Sequence, residues 1–266
     1  MFELFHYSFM IRAFIAGSII AIIAPLVGSF LVVKRFSLVA DTLAHIALVG
    51  VAIGILTRIQ PLITTIIVTI LAAGFIEYIR TKKNIPGDIV LALFLPGGLA
   101  VSVIIMNFAH GFSADLFSYL FGSITTVQPQ EIWLMLFLGI IVISTVVLFY
   151  KKLLYTSFDE ESARVSGIPV GLFNLLLMIL IAIIVSLSMR VIGILLIGAL
   201  MVIPVTTAMQ VSRSFKNSIV LGIFFALIAV IAGLLSAYYF NLPAGGTIVL
   251  ISLGMFGIVG LIKNHV

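Results

Sequence analysis

Asp41 and His45 lie four residues apart in the stretch SLVADTLAHIALVGVAIGIL (37–56), and they are its only ionisable side chains. A carboxylate inside a bilayer costs roughly 2.5–3.5 kcal/mol even on insertion scales, so something must compensate for it. A cation is the natural candidate. At about 100° per residue, Asp41, His45, Leu48 and Ala52 share one helix face, with Gly50 and Gly54 roughly opposite. The glycine face suits close approach of a neighbouring helix, which leaves the Asp/His face to line a path or a subunit seam. Carboxylate plus imidazole is a donor set for Mn²⁺, Zn²⁺ or Fe²⁺ and a poor one for Cu⁺. Two ligands are fewer than the four of a structural metal site. Two copies of the chain meeting beside this helix would supply two Asp and two His, and a transport site should be no tighter, because the ion has to leave. The alternative makes Asp41 a helix cap or a partner of Lys34 or Arg35, with His45 bonded to a backbone carbonyl. His6 and His265 read as solvated termini, and His110 with Asp115 as an outer mouth.

The elements that must position this pair are membrane spans. Hydrophobic residues make up 63% of the chain and charged ones 9%, and the mean hydropathy is +1.38, too apolar for a water-soluble globule. Apolar segments near 9–33, 37–57, 60–79, 87–108, 130–150, 170–189, 191–211, 217–239 and 246–262 are each long enough to cross about 30 Å of hydrocarbon. The fold class is therefore an all-α bundle of about nine transmembrane helices, forming one domain over 1–266. The start MFELFHYSFMIR carries Glu3 and lacks a basic region followed by a small-residue cleavage site, so it reads as mature sequence. There is no Cys, which excludes disulfides and thiolate ligands.

Charge sets the expected orientation. With Lys151, Lys152 and Arg164 placed inside, alternation brings Lys34, Arg35, Arg80, Lys82, Lys83, Arg213, Lys216 and Lys263 inside too. Only Arg12, Arg58 and Arg190 fall outside, so the N-terminus is expected outside and the C-terminus in the cytoplasm. The net charge of +5 needs no nucleic acid to explain it. Those three outer arginines are candidates for pairing with acidic groups of a partner on that side. Breaks are expected at Pro25 with Gly28, at Pro96-Gly97-Gly98 and at Pro204, either as ordinary kinks or as backbone lining a cavity. An external segment of about 112–128 is too short to span; it either dips into the outer leaflet or packs on the bundle.

The longest inner polar stretch, about 155–169, offers Ser157 or Asp159 followed by Glu160 and Glu161 as a helix start, and Gly167 then Pro169 as a stop. A short amphipathic helix along the membrane results, suited either to a groove on a soluble partner or to covering the bundle. No G-x-x-x-x-G-K-[ST] loop and no hydrolytic constellation occurs. The chain reads as a transporter subunit rather than an enzyme, with its energy taken from a partner or an ion gradient.

Four segments carry a resemblance: GSFLVVKRFSLVADTLAHIALVGVAIG (28–54), DLFSYLFGSI (115–124), DEESARVSGIPV (159–170) and VIGILLIGALMVIPVTTA (191–208). In this order they resemble the permease subunit of the ABC-3 family, the manganese, zinc and iron importers of bacterial cytoplasmic membranes. The likeness runs from about Ala13 to the C-terminus. It implies a type II ABC importer fold: a homodimer of permeases in the lipid bilayer, each engaging a separate ABC ATPase that binds ATP, with a metal-binding solute-binding protein outside. It also implies that Asp159, Glu160, Glu161, Ala163, Arg164 and Gly167 belong to the coupling helix that fits the ATPase. Asp41 and His45 match the family's D-x-x-x-H metal motif. The transported Mn²⁺ or Zn²⁺ is then the substrate, and no cofactor is held permanently. A type II permease for a metal chelate such as a siderophore should lack the intramembrane Asp/His pair. A gradient-driven carrier should show inverted repeats, and none is discernible.

Overall fold

The computed structural model describes residues 7–83, 85–108, 114–125 and 127–264. Among them, nine helices are long and apolar enough to cross a bilayer. They are α1 (Ser8–Val33), α2 (Leu38–Thr57), α3 (Pro61–Lys82), α4 (Gly87–Phe108), α6 (Pro129–Phe158), α8 (Val170–Ser188), α9 (Ile197–Val211), α10 (Phe215–Phe240) and α11 (Ala244–Asn264); α5 (Ala114–Phe121) and α7 (Glu160–Val165) are short. Helix is the one open-ended structure that satisfies every backbone polar group in hydrocarbon without a neighbour, and the Leu, Ile, Val and Ala runs have nothing else to form.

Local chemistry sets the ends. Pro61 and Pro129 occupy first-turn positions of α3 and α6, where a missing N–H costs nothing. Gln128 and Glu131 close a reciprocal capping box on α6. Arg58 and Asn241 take left-handed backbone just after α2 and α10.

Helices α1, α2 and α8 are the most enclosed, whereas α4, α6 and α11 turn rows such as Leu93, Ile104, Ile140, Leu148 and Leu250 outward as a lipid-facing surface. Alternating spans gather Lys34, Arg35, Arg80, Lys82, Lys83, Lys151, Lys152, Arg164, Arg213, Lys216 and Lys263 at one end, hereafter the basic end.

Helices α1, α4 and α9 continue through Pro25, Pro96 and Pro204, as ordinary kinks allow, with the Ser29 hydroxyl donating to the Pro25 carbonyl at 2.8 Å. The irregular backbone lies instead at 189–196, where a turn precedes a 3₁₀ stretch (Ile194–Leu196), so the seventh span opens at Ile194 and is α-helical only from Ile197. Helix α6 continues eight residues past the expected boundary at 150, to Phe158, so the start of the expected polar stretch, 155–158, is still helix. The external segment contains α5, while His110, Phe112 and Ser113 lie outside the described residues, as do His6 and His265.

Candidate functional site

Helix α2 is gripped on several sides, which fixes where Asp41 and His45 stand. A Cβ at Gly50 would come within 2.4 Å of the Thr65 Cα, and one at Gly54 within 2.7 Å of the Pro61 Cα. The expected glycine face is therefore the α3 interface, sealed by the Thr64 hydroxyl donating to the Gly50 carbonyl at 2.8 Å. Gly98 of α4 approaches the Ile46 backbone on another side, 3.1 Å from the Cβ position to its N.

The remaining face carries the pair. His45 Nδ1 donates to the Asp41 carbonyl at 2.8 Å. That bond is the one the alternative reading gave His45; it also orients the ring and leaves Nε2 outside it. The Asp41 carboxylate lies against the first turn of α9: a Cβ on Gly198 would sit 2.0 Å from Asp41 Oδ1. The free N–H groups of a helix start favour a nearby anion. No hydrogen bond from a described residue reaches the carboxylate, and both Asp41 and His45 are half-buried. Lys34, the alternative partner considered for Asp41, pairs elsewhere. Among the described residues no group of three or more His, Asp or Glu forms, so one chain offers an ion two side-chain donors.

Gly198 is the site residue that sequence reasoning missed. It looks like any small residue in an apolar span, and only the fold reveals that the space beside it belongs to a carboxylate. Gly28 plays the same part further along, where a Cβ would stand 2.0 Å from the Met201 carbonyl oxygen, clasping α1 to α9.

At the end opposite the basic one, the three arginines separate. Arg58 is exposed and, with Gln60, Ser118, Tyr119, Gln128 and Arg190, lines a cavity of about 450 Å³. Arg12 Nε donates to the Ser8 carbonyl at 3.2 Å on the helix surface. Arg190 corrects the expectation of an outward-reaching base. It is 8% exposed, its guanidinium is 2.8 Å from the fully buried Glu131 carboxylate, and it covers the Tyr119 ring at 4.7 Å. It ties the 189–196 break to α5 and α6.

At the basic end, Asp159 caps α7, accepting from the backbone N–H of Glu161 and Ser162, each at 3.0 Å. The Ser162 hydroxyl and these N–H groups hold its carboxyl below the usual range. Of the two starts considered, Asp159 is the one used; Ser157 is buried inside the end of α6. Gly167, at φ +77°, ends the element. Ala163 is buried and pins α7 to the bundle, while Glu161, Arg164 and Val165 face solvent. Val165, 91% exposed, is an apolar side chain presented on a polar element.

Glu160 turns the other way. Its Oε1 lies 2.7 Å from Lys34 Nζ, 3.7 Å from an Arg80 nitrogen and 3.2 Å from the Asn174 amide that donates to it. Burial raises the Glu160 pKa, but the Lys34 bond and the two cations outweigh it and leave it lowered. Lys34 is lowered too, since burial costs it more than Glu160 returns.

Against this geometry the chain matches, over residues 6–263, the ABC 3 transport family. It is a member of that family. It is 34% identical over 253 residues to the manganese import system permease protein ScaB of Streptococcus gordonii, covering 95% of this chain and 91% of that one. It is 28% identical over 262 residues to the high-affinity zinc uptake system membrane protein ZnuB of Haemophilus influenzae, covering 97% and 99%. The solved PsaBC from Streptococcus pneumoniae in complex with Fab superimposes with a TM-score of 0.86 at 33% identity, over 96% of this chain and 92% of that one. The ABC 3 transport family fold expected from the sequence, an all-helical polytopic permease, is the fold observed.

Proposed function

We propose that this protein is the membrane permease of an ATP-driven importer that carries a divalent transition metal ion, Mn²⁺ or Zn²⁺ with Fe²⁺ as a further cargo, into the cytoplasm. The observation that carries the reading is the Asp41/His45 pair: a carboxylate without a hydrogen bond from the described residues and an oriented imidazole, one turn apart in a membrane span. Family membership and the metals printed in the relatives' names support it.

In this reading the basic end faces the cytoplasm. An extracytoplasmic binding protein docks at the opposite end, where Arg58 and Arg12 meet its acidic groups, and releases the ion toward the outer cavity. Asp41 and the Nε2 atom of His45 receive it. The carboxylate supplies charge, the imidazole supplies a neutral donor, and a second copy of the chain or water completes the coordination. No phosphate-binding loop is present, so ATP hydrolysis belongs to a partner subunit that grips α7 through Glu161, Arg164 and Val165. Asp159 and Gly167 fix the ends of that helix and Ala163 its depth.

Metal uptake by the complex reconstituted with its ATPase and binding protein tests this. Asp41→Ala and His45→Ala should each abolish uptake while the ATPase co-purifies normally; uptake at the unmodified rate in either variant rejects the site.

A further inference from the structure

The coupling assignment leaves one set of groups unused. Lys34 ends α1, Glu77 and Arg80 lie in the last turns of α3, and Asn174 is in α8; Lys34, Arg80 and Asn174 meet Glu160 of α7, and Glu77 joins them through Arg80. Arg80 forms a two-pronged bond to Glu77, with both contacts at 2.8 Å. Lys34 Nζ also donates to the Asn174 side-chain oxygen. The space enclosed beside them is about 10 Å³, the limit for one water, so the inner members, Lys34 and Glu77, meet one another's neighbours rather than bulk solvent.

Three facts give the cluster a direction. It holds two cations and two anions, and is neutral only while Glu160 is seated. Glu160 is also its most accessible member, with the side chain 32% exposed against 8% for Lys34 and 5% for Glu77. The cluster borders the corner leading into α2: Arg80 stacks on Phe36 at 5.6 Å, Lys34 is two residues before that ring, and Asp41 is five after it. Withdrawing Glu160 leaves Lys34 and Arg80 to share Glu77 in a dry pocket, a state relieved only if the end of α1 shifts or lets water in.

We propose that Lys34, Arg80 and Asn174 are positioning residues that receive the displacement of Glu160 and pass it to the α1–α2 corner, so that movement of α7 alters access to Asp41 and His45. This rests on the reading of α7 as the element gripped by the ATPase. The cluster is an electrostatic latch: seated, it holds the corner against α3 and α8, and drawn out, it frees α2 to tilt.

The test uses the complete reconstituted importer and reads metal uptake per ATP hydrolysed, together with ATPase co-purification. Glu160→Gln and Lys34→Gln should each keep the ATPase bound and lower the uptake-to-ATP ratio at least fivefold, and the double variant should be no worse than either single one. Asn174→Ala, a milder change, should lower the ratio two- to threefold. Lys83→Gln, which removes an exposed charge nearby, should leave it unaltered. Val165→Asp checks the underlying reading separately, since it should release the ATPase with the latch intact. If Val165→Asp releases the ATPase but the latch variants keep the ordinary ratio, or if Glu160→Gln and Lys34→Gln multiply as independent losses, the latch is wrong. If Val165→Asp changes neither association nor turnover, the α7 reading fails with it.

Discussion

Gly198 and Asp41 show how one absent methyl group shapes a site. The carboxylate occupies the volume where a Cβ on α9 would stand, 2.0 Å from Oδ1, so a methyl group there must displace it. Gly198→Ala should therefore leave assembly intact yet weaken apparent metal affinity at least tenfold, about 1.4 kcal/mol, read from initial uptake rates against metal concentration. An undiminished affinity would mean that α9 does not set the position of Asp41. The acid and the imidazole were legible in the sequence because they are isolated charges in an apolar span and the i,i+4 rule places both on one face. Gly198 was not, because nothing in a local pattern tells which carboxylate, 157 positions earlier in the chain, will fill the space beside a glycine.

Between elements, the buried Arg190–Glu131 pair fastens the break at 189–196 to the start of α6. Glu131→Ala takes the carboxylate from a buried guanidinium and should destabilise the protein by about 3–5 kcal/mol, whereas Glu131→Leu with Arg190→Met should cost less than that single change; thermal unfolding in detergent measures both. The acid limb of stability belongs to α7. Asp159 and Glu160 both titrate below their ordinary values. Their contribution is thus fully present above the ordinary carboxylate range and is lost only as pH falls through the lowered values. Amide exchange in α7, corrected for its intrinsic rate, should stay flat from pH 8 to 5 and rise below that range. The α7 start was legible from the cap preference for Asp followed by two Glu. The α6 extension was not, because Lys151 and Lys152 mark where a span meets the headgroups, and a helix is free to continue past that boundary. Arg190 misled for a related reason: positive charge at a span end says which side of the membrane it lies on, and its partner Glu131 is 59 residues away.

For the whole molecule, hydropathy alone gave the nine spans, because each must supply about 20 apolar residues. It could not show the 189–196 break, since VIGILLIGAL reads as continuous hydrocarbon and only Gly193, at φ +89°, betrays a turn. The chain has no cysteine, so a single introduced thiol reports topology without background. Lys82→Cys should be labelled only from the cytoplasmic side; labelling from outside would invert the orientation. In the reading proposed above, each chain lends the cation only Asp41 and His45, a donor pair that Mn²⁺, Zn²⁺ and Fe²⁺ all accept, so this seat discriminates little among them. Choice among metals then falls to the protein that delivers the ion, and exchanging that courier, with this chain untouched, should retune what the cell accumulates.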